Sequence, residues 1–270
     1  MSKLNGGNIS DGDDMELNKI YNEDCLEGMK RIPDGSVDMI LCDLPYGTTA
    51  SSWDAVIPFE SLWEQYERVI KDNGAIVLTG AQPFTTKLIE SNFNMFKYEL
   101  IWNKMQGSAF TLSKIKPLPS HENILIFGDG KITYNPQMTK REKLLNTKNW
   151  KMDKLKSENG NFSSNSNKES KKIYKEKYPV SVLDFHKSAA ECNNTKRVHP
   201  TQKPVALFKY LIKTYTNEGE TVLDNCMGSG TTGVACKNLN RKFIGIELDE
   251  NYFNLAKERI ESVGEINEWS

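Results

Sequence analysis

The fold class is decided by one stretch near the C-terminus, TVLDNCMGSGTTG at residues 221–233, together with the apolar run FIGIE at residues 243–247. The first stretch contains a short apolar run, a glycine-rich turn and the start of a helical pattern, and the second run ends in Glu247. A strand, a turn, a helix and a second strand form the repeating unit of a parallel α/β sheet. We therefore predict an α/β fold with a doubly wound, mostly parallel sheet.

The same alternation extends over most of the 270 residues. Further short apolar runs bounded by Gly, Asp or Asn predict buried strands at 37–42, 74–80, 98–104 and 123–127. Helical patterns lie between and after these runs, at 60–71, 82–92, 204–215, 231–239 and 251–263. The interval from about 134 to 197 breaks the alternation and lacks clear apolar periodicity, so it is predicted to be an insertion or a small subdomain.

This interval also carries a distinctive charge. The whole chain has a formal net charge of -1, but residues 139–178 contain 12 basic and 5 acidic side chains. That segment therefore carries +7 and the rest of the chain -8. Such asymmetry indicates that a polyanion lies across one region of an otherwise acidic protein, although a solvated, disordered loop would have a similar composition.

Several classes of protein are disfavoured by the sequence. No stretch approaches about 18 consecutive apolar residues, and the N-terminus is polar and acidic, so we expect neither a membrane span nor a signal peptide. The five cysteines are odd in number and contain no CxxC pair, which argues against a disulfide framework and a zinc ribbon. A cytoplasmic protein with reduced cysteines is the expectation.

The glycine-rich turn indicates a site for a nucleoside cofactor. Glycine lets the backbone approach a ligand closely, and Glu247 at the end of the next strand can accept both ribose hydroxyls. Gly228, Gly230 and Gly233 satisfy the GxGxxG pattern of dinucleotide enzymes, but Asp224 would repel a pyrophosphate there. A phosphate-binding loop is also disfavoured because GSGTTG lacks the necessary lysine. S-adenosylmethionine fits better, because it has a ribose, no phosphate and an ammonium group that Asp224 could hold.

A second motif, Asp43-Leu44-Pro45-Tyr46-Gly47, follows directly after the apolar run at 37–42. A carboxylate can accept a hydrogen bond from an exocyclic amine, a backbone carbonyl can accept the other hydrogen, and a tyrosine ring can stack on a base. These residue types suit a flipped-out base that carries an NH2 group. On these five residues alone, a strand followed by a tight turn is an equally good interpretation.

Taken together, the two motifs resemble those of the amino-group DNA methyltransferases of the β arrangement, in which the catalytic motif precedes the cofactor motif. The DLPY tetrapeptide (Asp43, Leu44, Pro45, Tyr46) is similar to the family's catalytic DPPY, with Leu44 in place of the first proline. Other similar segments are NEDCL at 22–26, SHEN at 120–123 and HPTQKP at 199–204. The family uses the backbone carbonyl at the second motif position, and Leu44 still supplies one.

The resemblance implies a set of cofactor-binding residues. It places Asp24, with Cys25 beside it, at the adenine end of S-adenosylmethionine, and Thr201 and Lys203 near its methionine carboxylate. The glycine turn and the following helix start complete the predicted site with Asp224, Gly228, Gly230, Thr231, Thr232 and Glu247. Taken alone, Asp24 could equally be a helix N-cap and Lys203 a surface cation.

Other candidate residues have weaker support. His121 and Glu122 could brace the strand that follows them, and Trp53 and Asp54 could close over the substrate base. His186, Cys192 and His199 match no common spacing of metal ligands, so no metal is expected.

The resemblance also implies a division of the chain into four regions and a type of reaction. We expect a flexible N-terminus (1–17), a catalytic half (18–134), a basic target-recognition insertion (135–197) and a cofactor-binding half (198–270). The expected activity is methylation of adenine N6 in double-stranded DNA by base flipping and direct transfer, in a restriction–modification context. N4-cytosine methylation is the close alternative, and RNA or protein amide methylation and a catalytically silent DNA-binding module are others. The sequence leaves open whether the enzyme forms a homodimer or works beside a cognate restriction endonuclease.

Overall fold

The computed structural model describes residues 14–47, 55–146, 173–186 and 202–264. It divides the chain into two compact units, of which the first comprises Met1–Asn135 with Ser181–Ser270 and the second Pro136–Val180. The predicted boundaries of the insertion, 135 and 197, stay a prediction. None of the helices in the described ranges is long and apolar enough to cross a membrane.

The first unit is built on an eight-stranded sheet. Its strands are β1 (Lys19–Asn22), β2 (Val37–Cys42), β3 (Ile70–Gly80), β4 (Phe96–Asn103), β5 (His121–Phe127), β8 (Val182–Asp184), β9 (Thr221–Asp224) and β10 (Lys242–Glu247). Their order across the sheet is β1-β10-β9-β2-β3-β5-β4-β8. Strand β5 runs antiparallel to both of its neighbours, while the other pairings are parallel.

Helices cover both faces of this sheet. They are α1 (Cys25–Met29), α2 (Phe59–Val69), α3 (Phe84–Ser91), α4 (Val205–Tyr215), α5 (Thr231–Asn238) and α6 (Glu250–Glu261). Side chains of β2 alternate between two apolar cores: Met39 and Leu41 pack with residues of α4 and α5, and Ile40 and Cys42 pack with residues of α1, α2 and α3. Strand β2 is buried along its whole length, as a central strand with helices on both faces must be. The predicted doubly wound, mostly parallel fold is thus confirmed.

The second unit contains a two-stranded antiparallel sheet of β6 (Thr139–Asn146) and β7 (Ile173–Lys177). The Arg141 side chain adds a hydrogen bond from Nε to the backbone oxygen of Glu176, at 3.0 Å. Apolar periodicity did not predict these strands, because their sequences, TKREKLLN and IYKEK, are mostly charged.

Candidate functional site

The two motifs meet at one edge of the sheet. Strands β2, β9 and β10 are parallel, so their carboxyl ends lie at the same edge, where ligands bind in open α/β sheets. Asp43 follows β2, Asp224 ends β9 and Glu247 ends β10. The fold therefore places the predicted catalytic carboxylate and both predicted cofactor-binding carboxylates at a common edge.

The Asp43 carboxylate is held by three side-chain donors. Its Oδ1 accepts hydrogen bonds from the Tyr46 hydroxyl, at 2.8 Å, and from the hydroxyl of Thr79 near the end of β3. Its Oδ2 accepts a hydrogen bond from Lys203 Nζ at 2.6 Å. A carboxylate has about four acceptor positions, so these donors leave one position at Oδ2 for a further donor. The side chain is about a quarter exposed, which lets that donor come from a substrate.

The Tyr46 ring lies against a second aromatic ring. Its centroid is 5.0 Å from that of Phe84, and the planes are inclined by 29°, a stacked arrangement. Burial and the nearby negative charge of Asp43 raise the pKa of the Tyr46 hydroxyl well above its usual value. The hydroxyl therefore stays protonated and donates to Asp43. Thr79 and Phe84 were missed by the sequence analysis, although both lie where the neighbouring parallel strand ends.

Lys203 belongs to a chain of buried ionic groups. Its Nζ lies 3.2 Å from Glu122 Oε2, and Glu122 Oε1 lies 2.7 Å from Lys104 Nζ. We call Lys104, Glu122, Lys203 and Asp43 the ion-pair chain. Burial opposes the charge on Lys203, but the negative charges of Asp43 and Glu122 outweigh it and hold the Lys203 pKa well above its usual value.

The two positive charges of the chain act in the same way on Glu122. Burial disfavours its charged form, yet Lys203 and Lys104 together lower the Glu122 pKa. Two cations and two anions then balance, and the two lysines are buried, so an unpaired charge there would be costly. The side chain of Lys203 thus lies at the catalytic motif, and its predicted role near the methionine carboxylate stays a prediction.

Asp224 is buried at the end of β9. Its Oδ1 accepts a hydrogen bond from the backbone N–H of Cys226 at 3.2 Å, and its Oδ2 accepts one from the Thr232 hydroxyl. Burial raises the pKa of Asp224 to about 7, and the charge of Asp43 adds to this shift. Within the described ranges, Asp224 forms no ion pair. A buried carboxylate in this state gains from a cationic ligand.

Glu247 is held by backbone donors on either side. The Gly228 N–H donates to its Oε2 at 2.7 Å, and the Asp249 N–H donates to its Oε1 at 2.8 Å. Burial raises the pKa of Glu247. Each oxygen retains an acceptor position for a ligand hydroxyl. The N–H of Gly228 also fixes the glycine turn to the end of β10.

The glycine turn needs its glycines for two different reasons. Gly228 and Gly230 have φ of 54° and 82°, in the left-handed region that favours glycine. A Cβ at Gly230 would lie 2.9 Å from Cα of Ala256 in α6, whereas a Cβ at Gly228 would meet no atom within 4 Å. Gly230 is therefore required for packing, while Gly228 keeps open the space beside Glu247. Thr231, at the start of α5, is buried and its hydroxyl reaches the Lys203 backbone oxygen at 3.4 Å.

The predicted residues at the adenine end lie near the same edge. Asp24 Oδ1 accepts hydrogen bonds from the N–H groups of Leu26 and Glu27, at 2.9 and 3.2 Å, and so caps α1. Cys25 is buried at the first position of that helix. Their predicted contact with adenine stays a prediction.

Several other candidates fall outside the described residues, namely Trp53, Asp54, Cys192, His199 and Thr201. His121 is exposed at the start of β5, and only its neighbour Glu122 joins the ion-pair chain. The described part of the chain holds no group of three or more side chains suited to a metal ion.

Comparison with known proteins now places this geometry in a family. A family model described as DNA methylase, for the N6 and N4 enzymes, matches residues 37–258, which include both motifs. The chain belongs to the N6/N4 DNA methylase family. It is 30% identical over 252 residues to type II methyltransferase M.HpaI of Haemophilus parainfluenzae, covering 88% of this chain and 72% of the relative. It is 27% identical over 283 residues to type II methyltransferase M2.MboI of Moraxella bovis, covering 94% and 90%.

Two solved structures are also similar to this chain. The crystal structure of the M1.HpyAVI–SAM complex aligns with a TM-score of 0.60 and 26% identity, covering 90% of this chain and 98% of that one. The PvuII DNA methyltransferase, described as cytosine-N4-specific, aligns with a TM-score of 0.63 and 17% identity, covering 91% and 87%, and so supports the fold alone.

Family membership confirms the predicted family and cofactor. The protein is an S-adenosylmethionine-dependent DNA methyltransferase that acts on an exocyclic amine, N6 of adenine or N4 of cytosine. The residues present fit this cofactor, because buried Asp224 lacks a cationic partner among the described residues and Glu247 can accept hydroxyls beside the open glycine turn. S-adenosylmethionine carries no phosphate, so it does not need the lysine that the GSGTTG turn lacks.

Proposed function

We propose that this protein methylates N6 of adenine in duplex DNA, at a flipped-out base and by direct transfer. The observation that carries the proposal is the Asp43 carboxylate, which is fixed by three donors and retains one acceptor position at Oδ2. An exocyclic NH2 group supplies the matching donor. The backbone carbonyl of Leu44 is next to this carboxylate in the chain and suits the second hydrogen of the amine.

Holding both hydrogens addresses the main chemical difficulty of the reaction. The lone pair of an exocyclic amine is delocalised into the ring, so the nitrogen is a poor nucleophile. Two acceptors, Asp43 and the Leu44 carbonyl, favour a tetrahedral nitrogen, whose lone pair is no longer delocalised into the ring and can attack the methyl group. The donors on Asp43 fix its orientation before the substrate arrives, so little reorganisation is needed during the reaction.

Bound S-adenosylmethionine supplies a methyl group on a positively charged sulfur, which is a good leaving group. Asp224 would hold its ammonium group, Glu247 its ribose hydroxyls, and the turn with Gly228 and Gly230 leaves room for it. The Tyr46 ring, which packs against Phe84, would stack on the flipped base and keep the amine nitrogen in line with the sulfur–methyl bond.

After transfer, the amine must lose a proton. Lys203 cannot accept this proton, because its raised pKa keeps it charged. Asp43 Oδ2, which would already accept a hydrogen bond from the amine, would receive this proton, and the partial exposure of Asp43 would let it pass to solvent. No covalent intermediate is required, in contrast to cytosine-C5 enzymes, which use a thiolate next to a proline; Cys42 is not in such a dipeptide.

The choice of adenine rests on the resemblance of the motif. An Asp at the first motif position is commoner in the N6-adenine enzymes of the resembling family, and Ser is commoner in the N4-cytosine enzymes. The relatives named as type II methyltransferases favour a restriction–modification context. A cognate endonuclease, a homodimer and a cytoplasmic location stay hypotheses, of which the dimer is tested by light scattering of the purified protein.

The test is methyl transfer with identification of the product. Purified protein is incubated with tritiated S-adenosylmethionine and unmethylated duplex DNA of mixed sequence, and the DNA is digested to nucleosides. We expect label on N6-methyladenine, none with Asp43→Ala, and unchanged label with Asp72→Ala, a matched change of an exposed aspartate. Label on N4-methylcytosine would overturn the choice of base and keep the mechanism.

A further inference from the structure

The loop between β4 and β5 emerges at the same edge as the catalytic motif. Strand β4 runs in the same direction as β3, and antiparallel β5 begins at the edge where they end. Both ends of the loop are joined to the site, because Lys104 precedes it, Glu122 follows it, and both belong to the ion-pair chain. The β4–β5 loop, defined as residues 105–119, is thus fixed to the side chains that hold Asp43.

The β4–β5 loop has a defined internal structure. The Lys104 N–H donates to the Ser120 backbone oxygen at 2.8 Å, and both the N–H and the hydroxyl of Ser108 donate to the Pro119 oxygen, at 3.0 and 2.9 Å. A short 3-10 helix, Phe110–Leu112, forms its far end, and Lys116 N–H donates to the Leu112 oxygen at 3.0 Å. The loop therefore presents its side chains in set positions.

Those side chains are unusually apolar for a surface. Met105, Phe110 and Ile115 are 58%, 64% and 78% exposed. Met105 and Ala109 adopt φ of 55° and 58°, which costs a residue with a Cβ roughly 1 kcal/mol. Exposed apolar groups on a strained, hydrogen-bonded loop indicate a surface that binds a partner.

The charge of the loop indicates which kind of partner this surface binds. Residues 105–119 contain Lys114 and Lys116 and no acidic side chain, whereas the chain outside residues 139–178 carries -8. Both lysines are exposed and flank Ile115. A protruding apolar group between two cations matches a nucleic-acid duplex, in which apolar side chains enter a base step and lysines contact phosphates.

The spacing also fits one duplex that serves both the loop and the motif. Three strand spacings, about 14 Å, separate β2 from β4. That span equals about four base pairs along DNA. A duplex that runs across the strands from a flipped base at Asp43 towards β4 therefore extends past the β4–β5 loop.

We propose that the β4–β5 loop is a duplex-DNA contact outside the basic insertion. In this assignment Phe110 and Ile115 enter the base stack within about four base pairs of the flipped-out nucleotide, and Lys114 and Lys116 contact the nearby phosphates. The proposal rests on the proposed function for its substrate, but its primary test is binding, which does not require methyl transfer.

The lysines are tested by the salt dependence of binding to a fluorescein-labelled duplex of mixed sequence. The double variant K114A/K116A should lower the slope of log affinity against log salt by about 2, since each phosphate contact contributes about 0.9. The matched control is K97A/K131A, two exposed lysines at the opposite edge of the sheet. Equal slopes for the two double variants would overturn the proposal.

Phe110 is tested against Phe93, which is 70% exposed and precedes β4 at the opposite edge. Phe110→Ala should weaken duplex binding and lower kcat/KM for duplex DNA roughly tenfold to a hundredfold, with S-adenosylmethionine affinity unchanged. Phe93→Ala should match the wild type. A duplex with a mismatch at the methylated base should restore part of the loss, because the base is then easier to flip.

Two results would contradict this assignment. If the Phe110→Ala and Phe93→Ala variants agree within twofold in duplex binding and in turnover, Phe110 does not enter the base stack. Conversion of a wild-type dimer into a monomer by Phe110→Ala, seen by light scattering, would assign the surface to a second copy of the chain. A wild-type protein that binds the duplex but labels no DNA would overturn the proposed function, and the binding comparisons would still decide the role of the loop.

Discussion

Replacing Asp224 by Asn should stabilise the free protein at alkaline pH and weaken cofactor binding. Burial raises the pKa of Asp224 to about 7 from its ordinary 3.8. A carboxyl group with a raised pKa binds a proton more tightly in the folded state than in the unfolded state. Its contribution to stability is therefore present at low pH and is lost as pH rises from about 4 to about 7.

The size of the effect follows from the shift. Each pKa unit corresponds to about 1.4 kcal/mol, so the ionised carboxylate lowers the free energy of unfolding by about 4 kcal/mol above pH 7. Roughly two thirds of this is lost between pH 5 and pH 8. An amide at position 224 can accept from the Cys226 N–H and donate to the Thr232 hydroxyl, so it retains both hydrogen bonds without the charge.

The assay is thermal unfolding of the wild type, Asp224→Asn and the control Asp72→Asn at pH 5 and pH 8, without ligand. Other titrating groups are common to the three proteins and cancel in the differences. At about 2–4 °C per kcal/mol, Asp224→Asn should gain roughly 5–10 °C over the wild type on going from pH 5 to pH 8, and the control should gain nothing. A difference between Asp224→Asn and the wild type that does not change with pH would refute the argument.

Three further changes test other parts of the site. Tyr46→Phe keeps the stacked ring and removes one donor to Asp43, so kcat should fall less than tenfold, whereas Tyr46→Ala should lower it roughly tenfold to a hundredfold in the tritium assay. Lys203→Met leaves the carboxylates of Glu122 and Asp43 short of a cation and should lower the free energy of unfolding by about 3–5 kcal/mol in urea titrations, a result that an unchanged midpoint would contradict. Gly230→Ala should lower thermal stability severely, because its Cβ would meet backbone atoms, while Gly228→Ala should cost only about 1 kcal/mol of stability yet weaken S-adenosylmethionine binding in calorimetry.

The parts of the fold that the sequence predicted are those with local signals. The strand, glycine turn and helix at 221–238 were predicted because the glycines, the apolar runs and the helix start lie within a few residues of one another. Strand β1, only 4 residues long, was missed, and the 5-residue helix α1 entered only through the alternative that Asp24 is a helix N-cap. A signal for α1 was present, because Asp24 is followed three residues later by Glu27, the spacing of a capping box.

The direction of β5 could not be predicted in the same way. Apolar runs show that a strand is buried, and they carry no information on whether it runs with or against its neighbours. A short connection would have indicated an antiparallel pair, but the β4–β5 loop is too long for a tight hairpin. The charged strands of the second unit lack even the apolar signal.

In the site, too, residues with a local sequence signal were predicted and their partners from distant parts of the chain were not. Asp43, Asp224 and Glu247 were predicted because each follows or ends an apolar run, and parallel strands bring such ends together. The partners of Asp43 were not, because Lys203 is 160 residues away in sequence and Thr79 is 36 away. Motif resemblance placed Lys203 in the cofactor pocket, and only the three-dimensional structure shows its Nζ on the catalytic carboxylate.

The arrangement of charge at this edge differs between the predicted catalytic residues and the predicted cofactor-binding residues. The ion-pair chain has two cations and two anions, so the predicted catalytic cluster is close to neutral, which suits an uncharged base. Asp224 and Glu247 have no cation paired with them among the described residues, and burial raises the pKa of both, so a cationic ligand at the predicted cofactor site would stabilise their ionised forms. A dinucleotide would bring its pyrophosphate close to buried Asp224, where repulsion is weakly screened. Asp224 therefore disfavours the dinucleotides that a GxGxxG turn accepts in other folds, whereas Glu247 suits the ribose of either kind of cofactor.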